Sequence, residues 1–137
     1  MQKLSIIIPA YNEEDRIVQT ISKTIFYLNE QDYLSEILVV SDGSRDNTGN
    51  VVKGFDPGKN VTLKFFEYHP NRGKGYAVRY GMLQGQSKII MFMDADYSVP
   101  MEEVEKGLNL IDKGADIAIA SRAIEGSDVS QHQNFFR

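Results

Sequence analysis

The chain has no cysteine among its 137 residues. That excludes a disulfide framework, a zinc ribbon and a thiol nucleophile, and it suits a reducing compartment. Histidine is nearly as scarce. His69 and His132 are 63 positions apart by subtraction, have no metal-like spacing, and read as structural or surface residues. A surplus of basic residues is also missing. Fifteen Lys and Arg stand against nineteen Asp and Glu, a formal charge of −4, which argues against a general basic coat for nucleic acid. No apolar run approaches the roughly 18 residues of a membrane span. The start, Met1-Gln2-Lys3 followed by Leu4-Ser5-Ile6-Ile7-Ile8, lacks the apolar region and small-residue cleavage site of a signal peptide. What is present, 42% hydrophobic and 25% charged residues, is the balance of one packed globular domain.

Short apolar runs alternate with segments of helical period, which predicts an α/β fold: a mainly parallel sheet flanked by helices on both faces. Strands are expected near 3–9, 35–41, 61–67, 88–94 and 116–120. Four of the five are apolar on both faces and so belong inside the sheet. Asn12 reads as the N-cap of a first helix, with Glu13, Glu14 and Asp15 in its first turn and Ile17, Ile21, Ile25 and Leu28 along one face. Further helices are expected over 46–54, over 74–85, and from Pro100 to Gly114, the last with Met101, Val104, Leu108 and Ile111 on one stripe. There is no internal repeat, low-complexity tract or linker. The end, Asn134-Phe135-Phe136-Arg137, carries two adjacent aromatics that need a surface to pack on. The chain is therefore expected to stop inside a larger fold or to pair with another copy.

In an open parallel sheet ligands bind beyond the carboxyl ends of the strands. Four segments fall there: Pro9-Ala10-Tyr11-Asn12-Glu13, Ser41-Asp42-Gly43-Ser44, Asn71-Arg72-Gly73-Lys74-Gly75 and Asp94-Ala95-Asp96. Asp94 and Asp96 leave the same side of an extended chain and offer two hard oxygen ligands suited to Mg²⁺ or Mn²⁺ shared with a diphosphate. Taken alone, an Asp-x-Asp more often caps a neighbouring helix; its place at a strand end beside three other suspicious segments reverses that preference. The Gly73-Lys74-Gly75 segment fails the P-loop test, since no Gly stands five residues before the Gly-Lys and Gly75 replaces the Ser or Thr. It fails the dinucleotide test too, because position 78 is Val. It leaves a turn that brings Arg72, Lys74 and Arg79 near a helix N-terminus able to attract an anion. Asp42-Gly43 alone is an ordinary turn signal, and Tyr11 alone an ordinary rim aromatic. Read functionally, Tyr11 supplies a stacking face for a base and Asp42 an acceptor for its ring N–H.

Together these segments resemble the inverting glycosyltransferases of family 2, above all the polyprenyl-phosphate sugar transferases. The resemblance runs in order through Ile6–Glu14, Val39–Thr48, Asn71–Ala77, Met93–Asp96 and Ala120-Ser121-Arg122. It implies the GT-A fold, a nucleoside-diphosphate-sugar donor such as a UDP- or GDP-sugar, and a divalent cation, Mg²⁺ or Mn²⁺. By the same resemblance Pro9, Tyr11 and Glu13 line the base and ribose pocket and Asp42 reads the base edge. Asp94 lies near ribose and metal, Asp96 is the direct metal ligand, and Lys74 and Arg122 supply positive charge. Position 41 is Ser where many members carry a second Asp.

The expected division is a nucleotide-sugar-binding domain over 1–122 and the start of an acceptor-side region over 123–137. The expected reaction is in-line displacement at the anomeric carbon. A polyprenyl phosphate is the expected acceptor and a saccharide hydroxyl the alternative. The expected place is the cytoplasm, with peripheral association at a membrane face and self-association as further expectations. Two other classes compete: a nucleotidyltransferase, whose usual glycine-rich basic loop after strand one is absent from the acidic Pro9–Glu13 segment, and a nucleotide-sugar-binding module without catalysis.

Overall fold

The computed structural model describes residues 2–121. Strands and helices alternate along it: β1 (Gln2–Ala10), α1 (Ile17–Asn29), β2 (Leu34–Asp42), α2 (Thr48–Lys53), β3 (Val61–Tyr68), α3 (Lys74–Gln84), β4 (Ile89–Phe92) and α4 (Glu102–Asp112). The described residues fall into two units that divide between Met101 and Glu102. The first holds a four-stranded parallel sheet in the order β3-β2-β1-β4. Ile6 lies opposite both Ile37 and Met91, and Ile37 opposite Leu63. Because all four strands run one way, Ala10, Asp42, Tyr68 and Phe92 end along a single rim.

β1 and β2 are buried on both faces, which explains their unbroken apolar runs. Ile7, Leu38 and Val40 pack with Ala77 of α3, and half-buried Phe66, Tyr68, Tyr80 and Met82 close over them. The approach is close enough to require glycine. A Cβ on Gly81 would lie 2.4 Å from Cγ2 of Ile7. Ile6, Ile8, Ile37 and Val39 alternate onto the opposite face, the side of Phe65, whose ring lies 3.0 Å from where a Cβ of Gly49 in α2 would stand. The buried stripe of α1, Ile17, Thr20, Ile21, Thr24 and Leu28, has helical spacing. Each fully buried aliphatic side chain contributes about 1.5–3 kcal/mol.

A buried charge ties this sheet together. Glu36 is fully buried, with Oε1 accepting Ser5 Oγ–H at 2.5 Å and Gln86 N–H at 2.7 Å, and Oε2 accepting Lys64 Nζ–H at 2.7 Å. Burial pushes its pKa up, but the bonds from Lys64, Ser5 and Gln86 outweigh burial and hold it below the usual value.

Three expectations are corrected. Asn12 is not a helix cap. It sits at φ 52 with its side chain committed to Arg45, and α1 starts at Ile17, whose N–H donates to Glu13 O at 2.8 Å. The fifth strand, 116–120, is not formed: these residues take no regular structure, and Ile117 and Ile119 are 78% and 79% exposed. Alternating Ile and Ala satisfies the pattern of a strand, but a strand needs a paired neighbour, and the described sheet has four members. β4, expected inside the sheet, is at its edge among the described residues, with Ile90 and Phe92 exposed.

In the second unit, α4 carries Glu102, Glu103 and Glu105 in its first turn, where the helix dipole favours negative charge. Val104 and Leu108 are buried, and Gly114, at φ 104, follows its last turn. The expected boundary at Arg122, and Phe135 and Phe136 with it, lie outside the described residues.

Candidate functional site

The loops after β1 and β2 are tied to each other by hydrogen bonds in both directions. Asn12 N–H donates to Ser44 Oγ at 3.1 Å, Glu13 N–H to Thr48 Oγ1 at 3.0 Å, and Glu14 N–H to Asp46 Oδ2 at 3.2 Å. In return Arg45 N–H donates to Asn12 Oδ1 at 2.8 Å and Asn47 N–H to Glu14 Oε2 at 3.0 Å. Asp46 also accepts from the N–H and hydroxyl of Thr48. Burial raises its pKa, but the bonds from Thr48 and from the Glu14 N–H outweigh burial and hold it below the usual value. Tyr11, 45% exposed, stands at the edge of this tied pair with its ring available for contact.

Asp42, 3% exposed, closes the end of β2. Its Oδ1 accepts Arg72 N–H at 2.8 Å and its Oδ2 accepts Gly73 N–H at 2.9 Å, so both oxygens hold the backbone that leads into α3. Asn71 Nδ2–H donates to Asp42 O at 3.0 Å on the same loop. Gly43 makes this approach possible, since it has φ 75 and a Cβ there would meet Asn71 N at 2.9 Å. Tyr68 lies beside Asp42. Burial, and then the Asp42 carboxylate, push its phenol well above the usual range, although its Oη has no hydrogen-bond partner among the described residues.

The acidic end of the rim follows β4. The ladder extends one residue past the strand through Met93 N–H to Ile7 O at 2.9 Å, and the buried Ala95 is pinned to α1 by Thr20 Oγ1–H donating to Ala95 O at 2.5 Å. Asp94 and Asp96 flank that pinned residue. Together with Pro9, Glu13, Arg16 and Lys74 they line a cleft of about 220 Å³. Lys74 Nζ is ion-paired with Asp94 Oδ1, and Arg16 Nη2 lies 2.7 Å from Glu13 Oε2. Asp96 Oδ1 accepts Ser98 N–H at 3.0 Å. Burial raises the Glu13 pKa and Arg16 opposes it, with Asp96 and Asp46 adding to the rise.

Five of the expected site residues, Pro9, Glu13, Lys74, Asp94 and Asp96, thus share one cleft. Asp42 does not line it but holds the loop that carries Lys74. Arg79 lies farther along α3 and does not line it. Arg122 lies outside the described residues. Arg16 was missed by the sequence reasoning; its only signal was its place three residues after Glu13, the spacing of a helical ion pair.

Mg²⁺ and Mn²⁺ fit this donor set. No three His, Cys, Asp or Glu side chains converge among the described residues, but an octahedral cation needs only one or two carboxylates when phosphates and water complete its shell. The Asp94 side chain, 44% exposed, and the exposed Asp96 are open to such ligands.

Comparison with known proteins identifies the family. The family model for glycosyl transferase family 2 matches residues 5–134. A Drosophila melanogaster dolichyl-phosphate beta-glucosyltransferase is 35% identical over 98% of this chain and 45% of its own length. The Homo sapiens dolichyl-phosphate beta-glucosyltransferase is 32% identical, again over 98% of this chain and 45% of its own. The chain thus spans a little under half the length of these relatives. Among solved structures, S. aureus TarS 1-349 in complex with UDP-GlcNAc superposes with a TM-score of 0.67 at 26% identity, covering 82% of this chain and 32% of that one. The mannosyltransferase PcManGT from Pyrobaculum calidifontis, in complex with GDP-Man and Mn2+, gives 0.59 at 28% identity over 69% and 27%. No described helix is long and apolar enough to cross a membrane.

Proposed function

Because the chain belongs to glycosyl transferase family 2, we propose that it forms the donor-binding part of an inverting glycosyltransferase that moves a sugar from a nucleoside diphosphate to a polyprenyl phosphate. The observation that carries this reading is the convergence of Glu13, Lys74, Asp94 and Asp96 on one cleft at the carboxyl ends of β1 and β4. Tyr11, Pro9 and Glu13 serve the base and ribose, and Asp42 serves the base edge through whatever accepting capacity its two backbone bonds leave. Asp96 and Asp94 would hold Mg²⁺ or Mn²⁺, which when bound would supply positive charge for the departing diphosphate. Lys74 and Arg122 add positive charge near the phosphates. The polyprenyl phosphate acceptor is supported by the dolichyl-phosphate relatives. A phosphate oxygen is already anionic near neutral pH and needs no strong general base. Such an acceptor lies in a membrane, and the proposal includes peripheral association at its cytoplasmic face and self-association.

The test is calorimetric titration of the chain with UDP- and GDP-sugars in Mn²⁺ and in EDTA. The expected result is tighter binding with the cation, with Asp96→Ala removing most of the difference. Equal affinity in EDTA would overturn the metal assignment.

A further inference from the structure

Lys74 reaches across the cleft to Asp94 from a fixed base. Asp42 clamps the two backbone N–H groups just before it, Gly73 turns the chain at φ 93, and Lys74 opens α3. The helix start does not depend on the ion pair, because Ala77 N–H donates to Gly73 O at 3.2 Å. The pair is also open to water, with side-chain exposures of 60% for Lys74 and 44% for Asp94. Pairs this exposed contribute at most about 1 kcal/mol and exchange readily. The Lys74–Asp94 contact is therefore dispensable to the fold, while it covers a carboxylate oxygen at the mouth of the cleft.

We infer that Lys74 is a placeholder for the cation: in the ligand-free protein its ammonium holds the Asp94 oxygen that a divalent cation takes, and it transfers to the diphosphate when cation and nucleotide arrive together. A cation alone must displace the ammonium into water, with no new anion for it to meet. A cation accompanied by a diphosphate offers the ammonium a new anion within reach of the same helix N-terminus. Metal and nucleotide affinities are thereby coupled through one side chain, and by linkage each strengthens the other equally. The inference rests on the metal and diphosphate reading given above and adds to it what Lys74 does before either binds.

Mn²⁺ binding followed by the EPR signal of the free ion separates the two. Wild type, Lys74→Met, Lys74→Arg and Arg79→Met are titrated with and without UDP. Without UDP, Lys74→Met is expected to bind Mn²⁺ roughly three- to fivefold more tightly than wild type, the factor an exposed ion pair supports. Lys74→Arg, which keeps the charge, binds no more tightly than wild type. UDP is expected to strengthen Mn²⁺ binding less in Lys74→Met than in wild type. If Lys74→Met binds Mn²⁺ no better than wild type while UDP still strengthens binding to both, the placeholder role is overturned and the metal reading stands. Equal tightening by Arg79→Met would overturn it as well, since the effect would then be bulk charge. Absence of Mn²⁺ binding by all four proteins, with and without UDP, would overturn the metal reading and the placeholder role together.

Discussion

The two ends of the rim are built by opposite means. At the β1–β2 end, the segments Asn12–Glu14 and Ser44–Thr48 are tied to each other by short-reach side chains on backbone N–H groups, and the carboxylate of Asp42 holds Arg72 and Gly73 in a site 3% exposed. At the β4 end Met93 and Ala95 are anchored to β1 and α1, while the carboxylates flanking Ala95 stay open to solvent, Asp94 answered by a lysine and Asp96 by the N–H of Ser98. A surface that recognises a rigid group gains from being preformed, since ordering has been completed during folding. A surface that binds a cation and a highly charged diphosphate must keep its ligands uncommitted. The difference teaches that acids on one rim divide into those that hold loops and those that await a ligand, and burial with backbone donors tells them apart.

Replacing one acid from each end gives the sharpest test. Asp42→Ala leaves the Arg72 and Gly73 N–H groups without their acceptor and should cost about 2–4 kcal/mol in urea denaturation. Asp96→Ala should change stability by about 0.5 kcal/mol or less. Equal losses would erase the distinction. Next in size, Thr48→Val removes the acceptor for Glu13 N–H and a donor to Asp46 while keeping the side-chain shape. A loss of about 1–2 kcal/mol is expected, read as a lowered melting temperature, together with weaker nucleotide binding in EDTA as well as in Mn²⁺.

Asp46 extends the comparison to pH. Its folded pKa is depressed below the usual 3.8, so its contribution is present above that value and lost as the pH falls through the lower folded value. Asp46→Asn should therefore flatten the acid limb of the stability profile. Glu13 has the opposite sign. Its folded pKa is raised above the usual 4.5, so the folded state favours its protonated form, and wild type gains on Glu13→Gln as the pH falls through the raised value. Glu13→Gln should accordingly be slightly the more stable protein at pH 7, with the gap closing in acid. This is the smallest of the expected effects, and paired thermal melts at pH 7 and pH 4 check it.

The sheet and the acidic mouth were legible because their signals are carried by residue type. Ile6-Ile7-Ile8 and Ile37-Leu38-Val39-Val40 have no helical period, and Asp94-Ala95-Asp96 follows directly on a short apolar run. The ties between loops were not legible. Asn12 has the sequence surroundings of an N-cap, and nothing nearby in the chain says that its partner is Arg45, 33 positions on. Ile117-Ala118-Ile119-Ala120 misled for a related reason: alternation describes what a strand looks like, while pairing depends on residues elsewhere. Asp42 was singled out as an acceptor for a base edge, but the two N–H groups it holds lie 30 and 31 residues away, which spacing alone does not reveal.

Glu36 gives the sheet a means of checking its own alignment. Its carboxylate takes up Ser5 from β1, Lys64 from β3 and the N–H of Gln86 just ahead of β4, so segments from both flanks of β2 converge on one anion. Apolar strands rich in Ile and Val slide past one another at little loss, because one greasy contact replaces another. A slip of a single residue would turn this carboxylate to the other face, away from Ser5, Lys64 and Gln86, at a cost of several kcal/mol. The charge thus acts as an error detector: it contributes little net energy to the correct sheet and removes its misaligned competitors from the folded population.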